Sequence, residues 1–349
     1  MIFASDNWAG AHPKVTASIA MHSGGFVSAY GSSDLDRQVT KKFSEIFERE
    51  VAVFFVGTGT AANSLALTLA NKPGGVGFCH TEAHALEDEC GAQEYLAGGA
   101  RLRPVGGALG RIDPEKLEQV MTRFAGDPLH AGRPIAVSIT QATEVGTVYG
   151  LDDIGAIARV AGKRGLPLHM DGARFANALV ALETTPAEMT WKRGVDILSF
   201  GGTKNGCWCA EAIVLFDTAK ASEMAFIHKR AAQLFSKSRF IAAQFAAYFE
   251  DGLWLETARH ANSLAARLAG HIRASKRIRL AWEPQANEVF AIASTAERER
   301  LTKKGVAFHT WHTPQGFEAE IGDGDKICRF VTSFATTADD VDAFGELIG

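Results

Sequence analysis

The 349-residue chain contains no uninterrupted apolar run approaching the ~20 residues that a membrane-spanning helix requires, which argues against a membrane protein. Cysteine is scarce: Cys79, Cys90, Cys207, Cys209 and Cys328 are odd in number and scattered. That excludes a disulfide framework and leads us to expect reduced thiols in a cytoplasm. The opening residues, MIFASDNWAG, carry no basic stretch leading into an apolar one, so no secretory signal is expected. Charge of one sign is not in excess either. Thirty-six Lys and Arg against 40 Asp and Glu leave a formal net charge of -4, with no preference for nucleic acid or an anionic membrane surface. There is no internal repeat, low-complexity tract or long linker. What is present is ordinary globular composition, 46% hydrophobic and 22% charged, in a chain long enough for two domains.

From residue 51 onward, short apolar strands alternate with helical segments. Strands are predicted at Val51–Val56, Val76–Cys79, Ile135–Thr140, Leu166–Met170, Ile197–Phe200 and Ile213–Phe216. A helix is predicted over Thr60–Ala70. Another follows Asp113-Pro114-Glu115, where an N-cap aspartate, an N1 proline and a first-turn acid precede Lys116–Phe124. A third opens at Asp152 and Asp153 and stops at Gly165. The alternation predicts an α/β fold with a mostly parallel sheet covered on both faces. Beyond about residue 217 the pattern turns to long helices, Ala219–Phe235, Phe240–Glu250 and Thr257–Ala274. Short strands follow at Glu288–Ala293, Ala307–Thr310 and Ile327–Thr332, then a helix from Asp339 to Ile348. These predict a large domain over 1–245 and a smaller α+β domain over 246–349, with the amino-terminal segment contributing to the large domain's site.

Three local patterns carry chemistry. Gly57-Thr58-Gly59-Thr60-Ala61-Ala62-Asn63 stands between a strand and a helix, where small residues and a helix N-terminus favour a phosphate. A plain tight turn, or a dinucleotide loop, is the competing reading. The dinucleotide reading wants an acid ending a strand ~20 residues on, whereas this chain has Cys79-His80-Thr81-Glu82-Ala83-His84. Second, Leu168-His169-Met170-Asp171-Gly172-Ala173-Arg174 delivers an aspartate at a strand's carboxyl end; on its own it would serve equally as a cap or turn. Third, Gly201-Gly202-Thr203-Lys204-Asn205-Gly206 puts a lysine in a glycine-rich loop after a strand, although most lysines are surface charges. Asp171 and Lys204 are separated by about one β-loop-helix-β unit, which allows both to reach one edge of the sheet.

Together the three meet the demands of pyridoxal phosphate: an anion cradle, an amine for the Schiff base, and a carboxylate to keep the pyridine nitrogen protonated. A nicotinamide enzyme needs neither Asp171 nor Lys204. Other candidates are weaker. His80 and His84, at i and i+4, suit one helix face, but the neighbouring glutamate is misplaced for a zinc site, and no metal is expected.

The chain resembles the threonine aldolase family of fold-type-I pyridoxal enzymes over nearly its whole length, close to the low-specificity L-threonine and phenylserine aldolases. The residues that carry the resemblance are Ser5-Asp6-Asn7, Tyr30-Gly31, Thr58-Gly59-Thr60-Ala61-Ala62-Asn63, His84, His169-Met170-Asp171-Gly172-Ala173-Arg174, Thr203-Lys204-Asn205-Gly206 and Arg329-Phe330-Val331-Thr332. It implies a mostly parallel large-domain sheet, a small α+β domain, and cleavage of L-β-hydroxy-α-amino acids to glycine and an aldehyde. By the resemblance, Lys204 carries the cofactor, Thr58, Gly59 and Thr60 hold its phosphate, His84 stacks on its ring and Asp171 meets the ring nitrogen. Ser5, Arg174 and Arg329 bind the substrate carboxylate. A homodimer or homotetramer with sites at the subunit interface is implied, in which Tyr30 and Arg239 reach the neighbouring site. One departure stands out. Where many of these enzymes have a histidine, this chain reads Gln141-Ala142-Thr143-Glu144, so Glu144, His84 acting through a water, or the cofactor phosphate would have to take the place of a base. Within the same chemistry a β-eliminating lyase, racemase or transaminase would use the same lysine, aspartate and arginines.

Overall fold

The computed structural model describes residues 1–124 and 128–349. Seven strands form the main sheet: β1 (Ala52–Val56), β2 (Gly75–His80), β3 (Arg101–Val105), β4 (Arg133–Thr140), β5 (Leu168–Gly172), β6 (Ile197–Gly201) and β7 (Glu211–Leu215), in the order β1-β7-β6-β5-β4-β2-β3. Strands β2 to β6 run parallel to their neighbours, while β7 is antiparallel to both β1 and β6. The predicted strands are all present within a few residues. Only β3 was not legible. It reads Arg-Leu-Arg-Pro-Val at the sheet's edge, where charge and proline are tolerated and the apolar signal fades.

Strands β5, β6 and β7 are buried along their whole length, which is why they read as continuous apolar runs. Helices cover the sheet on both faces. One side is anchored by a phenylalanine cluster: Phe43 meets Phe200, Phe245 and Phe249 edge-on at 4.9–5.3 Å between ring centres. Phe200 lies on β6, just ahead of the loop that carries Lys204, so this packing fixes the lysine's starting point. Truncating such a ring to alanine costs about 3–5 kcal/mol.

The predicted Ala219–Phe235 helix is shorter than expected, Ala221–Arg230, because Ala232 adopts a left-handed φ of 58° and turns the chain. The turn brings Gln233 and Phe235 back to Gly57: the Gly57 N–H donates to Gln233 Oε1 (3.1 Å). The other expected helices are present as Gly59–Ala70, Pro114–Thr122, Leu151–Gly162, Arg239–Phe249, Leu253–Ala274 and Ala338–Ile348. His80, placed on a helix by sequence spacing, ends β2 instead, and His84 opens a separate short helix, so the two do not share a face.

A second, antiparallel sheet comprises β8 (Arg279–Leu280), β9 (Glu288–Ser294), β10 (His309–Trp311) and β11 (Asp325–Val331) in the order β10-β11-β9-β8. Its core takes in Phe3 from the chain's start, edge-on to Phe344 at 5.6 Å. The Phe3 N–H donates to Ala307 O and its carbonyl accepts from Val331 N, each at 2.8 Å. The long helix Leu253–Ala274 belongs to both cores: Trp254 and Ala258 pack in the first, Leu264 through Ile272 in the second.

Candidate active site

Register alone brings the site together. Thr140 lies opposite Asp171, Asp171 opposite Ser199, and Glu211 opposite both Gly201 and Val56. Because β7 runs against its neighbours, its first residue sits at the edge where β1, β4, β5 and β6 end. Everything that follows those strand ends is therefore delivered to one rim, the rim at which open α/β sheets bind ligands. A cavity of about 240 Å³ lies there, lined by Asn7, Thr58, Gly59, Thr60, Asn63, His84, Glu89, Asp171, Thr203, Lys204 and Glu211 among others.

Each wall has a local cause. Thr58 caps the helix Gly59–Ala70, its hydroxyl accepting from Ala61 N (3.1 Å). That leaves the first amides of the helix, at Gly59 and Thr60, facing the cavity with the positive end of the helix dipole behind them. Lys204 sits in a 3-10 turn, Thr203–Asn205, held from below by Asn205. The buried Asn205 amide donates to Tyr248 OH (2.7 Å) and Trp254 O (2.8 Å). The turn closes at Gly206 with φ of 116°, a conformation side chains avoid.

Asp171 is buried and accepts from Asn63 Nδ2 (2.8 Å) and Ala173 N (3.0 Å). Asn63 also donates to Glu89 Oε1 (2.9 Å), and Glu89 in turn accepts from His84 Nδ1 (2.8 Å) and from Gln93. A continuous chain thus runs His84–Glu89–Asn63–Asp171. The bond to Glu89, aided by Glu144 and opposed by burial, holds the His84 imidazole above its usual range. Burial, reinforced by Glu89 and Glu144, raises the Asp171 carboxyl. Burial pushes Glu211 up to about 7.

Not every residue predicted for the site lines this cavity. Thr58, Gly59, Thr60, His84, Asp171 and Lys204 do. Ser5, Tyr30, Glu144, Arg174, Arg239 and Arg329 lie outside its lining in the single chain. Ser5 caps a short turn, its hydroxyl accepting from Asn7 N. Arg174 is fully engaged in a buried array. Its Nε and Nη2 donate to the two oxygens of Asp6 (2.8 and 3.1 Å), and its Nη1 lies 3.2 Å from Glu288. Arg329 reaches the other oxygen of Glu288 at 3.6 Å, donates to Ala4 O at 3.4 Å and lies 4.3 Å over the Trp311 ring. Burial works to raise Asp6, but Arg174 outweighs it and holds the carboxyl below its usual range; Glu288 is pushed up by burial against the pull of both arginines. The array flanks the cavity through Asn7 and Ala173, neighbours in sequence of Asp6 and Arg174. Glu144 is buried beside it. Tyr30 is exposed, while half-buried Arg239 donates to the carbonyls of Ser23, Gly24 and Gly25.

Sequence reading passed over Asn63 as a site residue, and missed Glu89, Thr203 and Glu211. Asn63 had a signal, one helical turn beyond Thr60 on the phosphate loop's helix. Glu211 had none, because its place follows from β7 being antiparallel.

The charges of the cavity define what it accepts. Carboxyls of Glu89, Asp171 and Glu211 face Lys204 and His84, leaving a deficit of positive charge near Asp171 and a helix N-terminus seeking an anion at the other end. Asn63 Oδ1 is buried there with no partner among the described residues. A molecule with a protonated pyridine nitrogen and a phosphate meets both demands. Strand β1 is an edge strand, unlike the inner first strand of a dinucleotide-binding sheet, so the nicotinamide reading loses its structural basis.

Sheet order, the lysine after β6 and the aspartate ending β5 define a fold-type-I pyridoxal-phosphate enzyme. The beta-eliminating lyase family model matches residues 3–296. The chain belongs to that family, among its threonine aldolases. It is 39% identical over 334 residues to a low specificity L-threonine aldolase of Pseudomonas sp. (strain NCIMB 10558), covering 96% of this chain and 93% of that one. The same figures hold for the low specificity L-threonine aldolase of Pseudomonas aeruginosa. The structure of Leishmania major threonine aldolase superposes with a TM-score of 0.91 at 27% identity, covering 99% of this chain and 98% of that one. Rice TDC, solved with PLP and tryptamine, shares the fold alone, with a TM-score of 0.75 at 15% identity over 99% and 82%. Among the described residues no helix is long and apolar enough to cross a membrane.

Proposed function

We propose that this chain cleaves L-β-hydroxy-α-amino acids of the threonine, allo-threonine and phenylserine type to glycine and an aldehyde. The observation that supports this best is the shared cavity, in which Lys204, Asp171 and the capped helix N-terminus face one another. Pyridoxal phosphate, when bound, supplies an electron sink for the pair released as the Cα–Cβ bond breaks.

In this reading Lys204 would hold the cofactor through its amine. Thr58, Gly59 and Thr60 hold its phosphate, and the Asp171 carboxylate holds the proton on the ring nitrogen. His84, oriented through Nδ1 by Glu89, would help hold the cofactor's ring. Ser5, Arg174 and Arg329 orient the substrate carboxylate. Of the two guanidinium groups Arg329 is the freer, since Arg174 is already gripped bidentately by Asp6. A carboxylate arriving at Arg174 must compete with that grip. The β-hydroxyl proton passes to His84 through a water or to Glu144, a choice that geometry with substrate decides.

We further propose a homodimer or homotetramer with Tyr30 and Arg239 serving the neighbouring site, and a reducing, cytoplasmic setting suited to five free cysteines. Support for assembly comes from apolar side chains left exposed: Met21, Phe26, Val27, Tyr30 and Trp208. Product analysis tests the activity. Phenylserine should give glycine and benzaldehyde in equal amounts. A keto acid with ammonia instead would mark a β-eliminating lyase and overturn the reading.

A further inference from the structure

Glu211 is a buried carboxyl that the reaction just described does not use. It opens β7, opposite Val56 on one side and Gly201 on the other, so it stands between the strand that leads into the Thr58–Thr60 loop and the strand that leads into Lys204. It lines the same cavity as Thr58, Gly59, Thr60 and Lys204. Of the cavity's three carboxyls it is the one whose hydrogen bonds all come from a single residue. Asp171 accepts from Asn63 and Ala173, and Glu89 from His84, Asn63 and Gln93. Glu211 is bonded through Thr203 alone, whose N–H donates to Oε1 at 3.3 Å and whose side chain also bonds the carboxyl.

We propose that Glu211 serves as a neutral carboxylic acid in the anion cradle, donating a hydrogen bond to the phosphate group seated at the N-terminus of the helix Gly59–Ala70, and so couples retention of that anion to one proton. The inference rests on pyridoxal phosphate occupying the cavity as read above. Its physical basis is charge. A phosphate dianion and a carboxylate confined to one small cavity repel, whereas a carboxylic acid beside a phosphate is a good donor to it. Burial already favours the neutral form, pushing the group up to about 7 before any anion arrives. The groups facing it are Thr203 and Lys204, which pull the other way, and Asp171, Cys207, Cys209 and Tyr248, each of which disfavours a charge there when ionised. From β1 it meets Val56 and its apolar neighbours. A bound anion raises the group further, so below about pH 7 the acid is already protonated and affinity is flat. Above that, binding must take up a proton, and affinity falls as pH rises.

The test is the dissociation constant of pyridoxal phosphate from the full-length holoenzyme, measured from pH 6 to 8.5 for the wild type and Glu211→Gln. The glutamine amide still donates but does not titrate. The wild type should lose affinity above about pH 7 by about tenfold per pH unit more than the variant. Parallel curves, or a variant that loses the cofactor equally at every pH, would overturn the proposal. Glu211→Asp, a titrating acid with shorter reach, gives a second arm: it should keep the extra slope while binding several-fold more weakly at pH 6, and loss of that slope would also overturn it. Glycine formation from phenylserine is read separately, since its absence with the expected affinity curves bears on the aldolase reading alone.

Discussion

The cavity at the sheet edge and the ion array at the junction of the two cores both bury several carboxylates, yet they treat them in opposite ways. In the array every charge has an opposite neighbour. Asp6, Arg174, Glu288 and Arg329 alternate in sign, and Arg174 is clasped in a bidentate grip. In the cavity, acids outnumber bases, and the dipole of a helix points into it. In the first arrangement the chain supplies its own counter-charges, with Arg329 the freer of its two arginines; in the second a bound molecule would supply them. Buried charge is costly either way, and what separates a structural cluster from a binding site is whether the chain itself supplies the counter-charge.

Substitutions sharpen that contrast. Removing the amine by Lys204→Ala should lower glycine formation from phenylserine by about 10⁴-fold or more and abolish the protein's visible absorbance, with little loss of thermal stability. Normal turnover in that variant would break the assignment of the cavity. In the array the balance should reverse. Arg174→Leu strands Asp6 and Glu288 without their partner and should cost roughly 3–5 kcal/mol in denaturant unfolding, whatever happens to activity; an unchanged midpoint would show that the array is not structural. Asp171→Asn should reduce kcat by about 10²–10³-fold while the unfolding midpoint moves little, as expected for a group that acts on a bound ring rather than on the fold. The smallest effects should come from the two candidate bases. His84→Phe and Glu144→Gln compared on phenylserine should show one variant down by about 10²-fold in kcat and the other much less. If neither falls, the proton leaves by another route.

Most of the large sheet was legible because its strands are buried on both faces and so read as unbroken apolar runs between clear helix signals. The Asp113 cap and the Gly165 stop are found as the local chemistry demanded: Asp113 accepts from Glu115 N and Lys116 N, and Gly165 has φ of 65°. The domain division near 245 remains a proposal, since the helix Leu253–Ala274 contributes to both cores. Less legible were elements whose identity depends on a neighbour: the charged edge strand β3, the two-residue β8, and the early end of the helix at Arg230. Within the site, Lys204, Asp171 and the Thr58–Thr60 loop announced themselves through glycine-rich, strand-end contexts. Glu89 did not, because its partners His84, Asn63 and Gln93 come together only when the short helices after β2 fold back on the helix Gly59–Ala70. The pairing of Arg174 with Asp6 was equally invisible, since it joins residues 168 positions apart.

Residue order by itself pointed to pyridoxal-phosphate chemistry, because the lysine, the strand-end aspartate and the phosphate loop combine in one chain at spacings that let them meet. Tertiary structure decided the charges around them. Antiparallel β7 turns Glu211 into the cavity, and the closing of the amino terminus onto the second sheet locks Asp6 against Arg174. These are consequences of strand direction and long-range packing, and no local pattern encodes either.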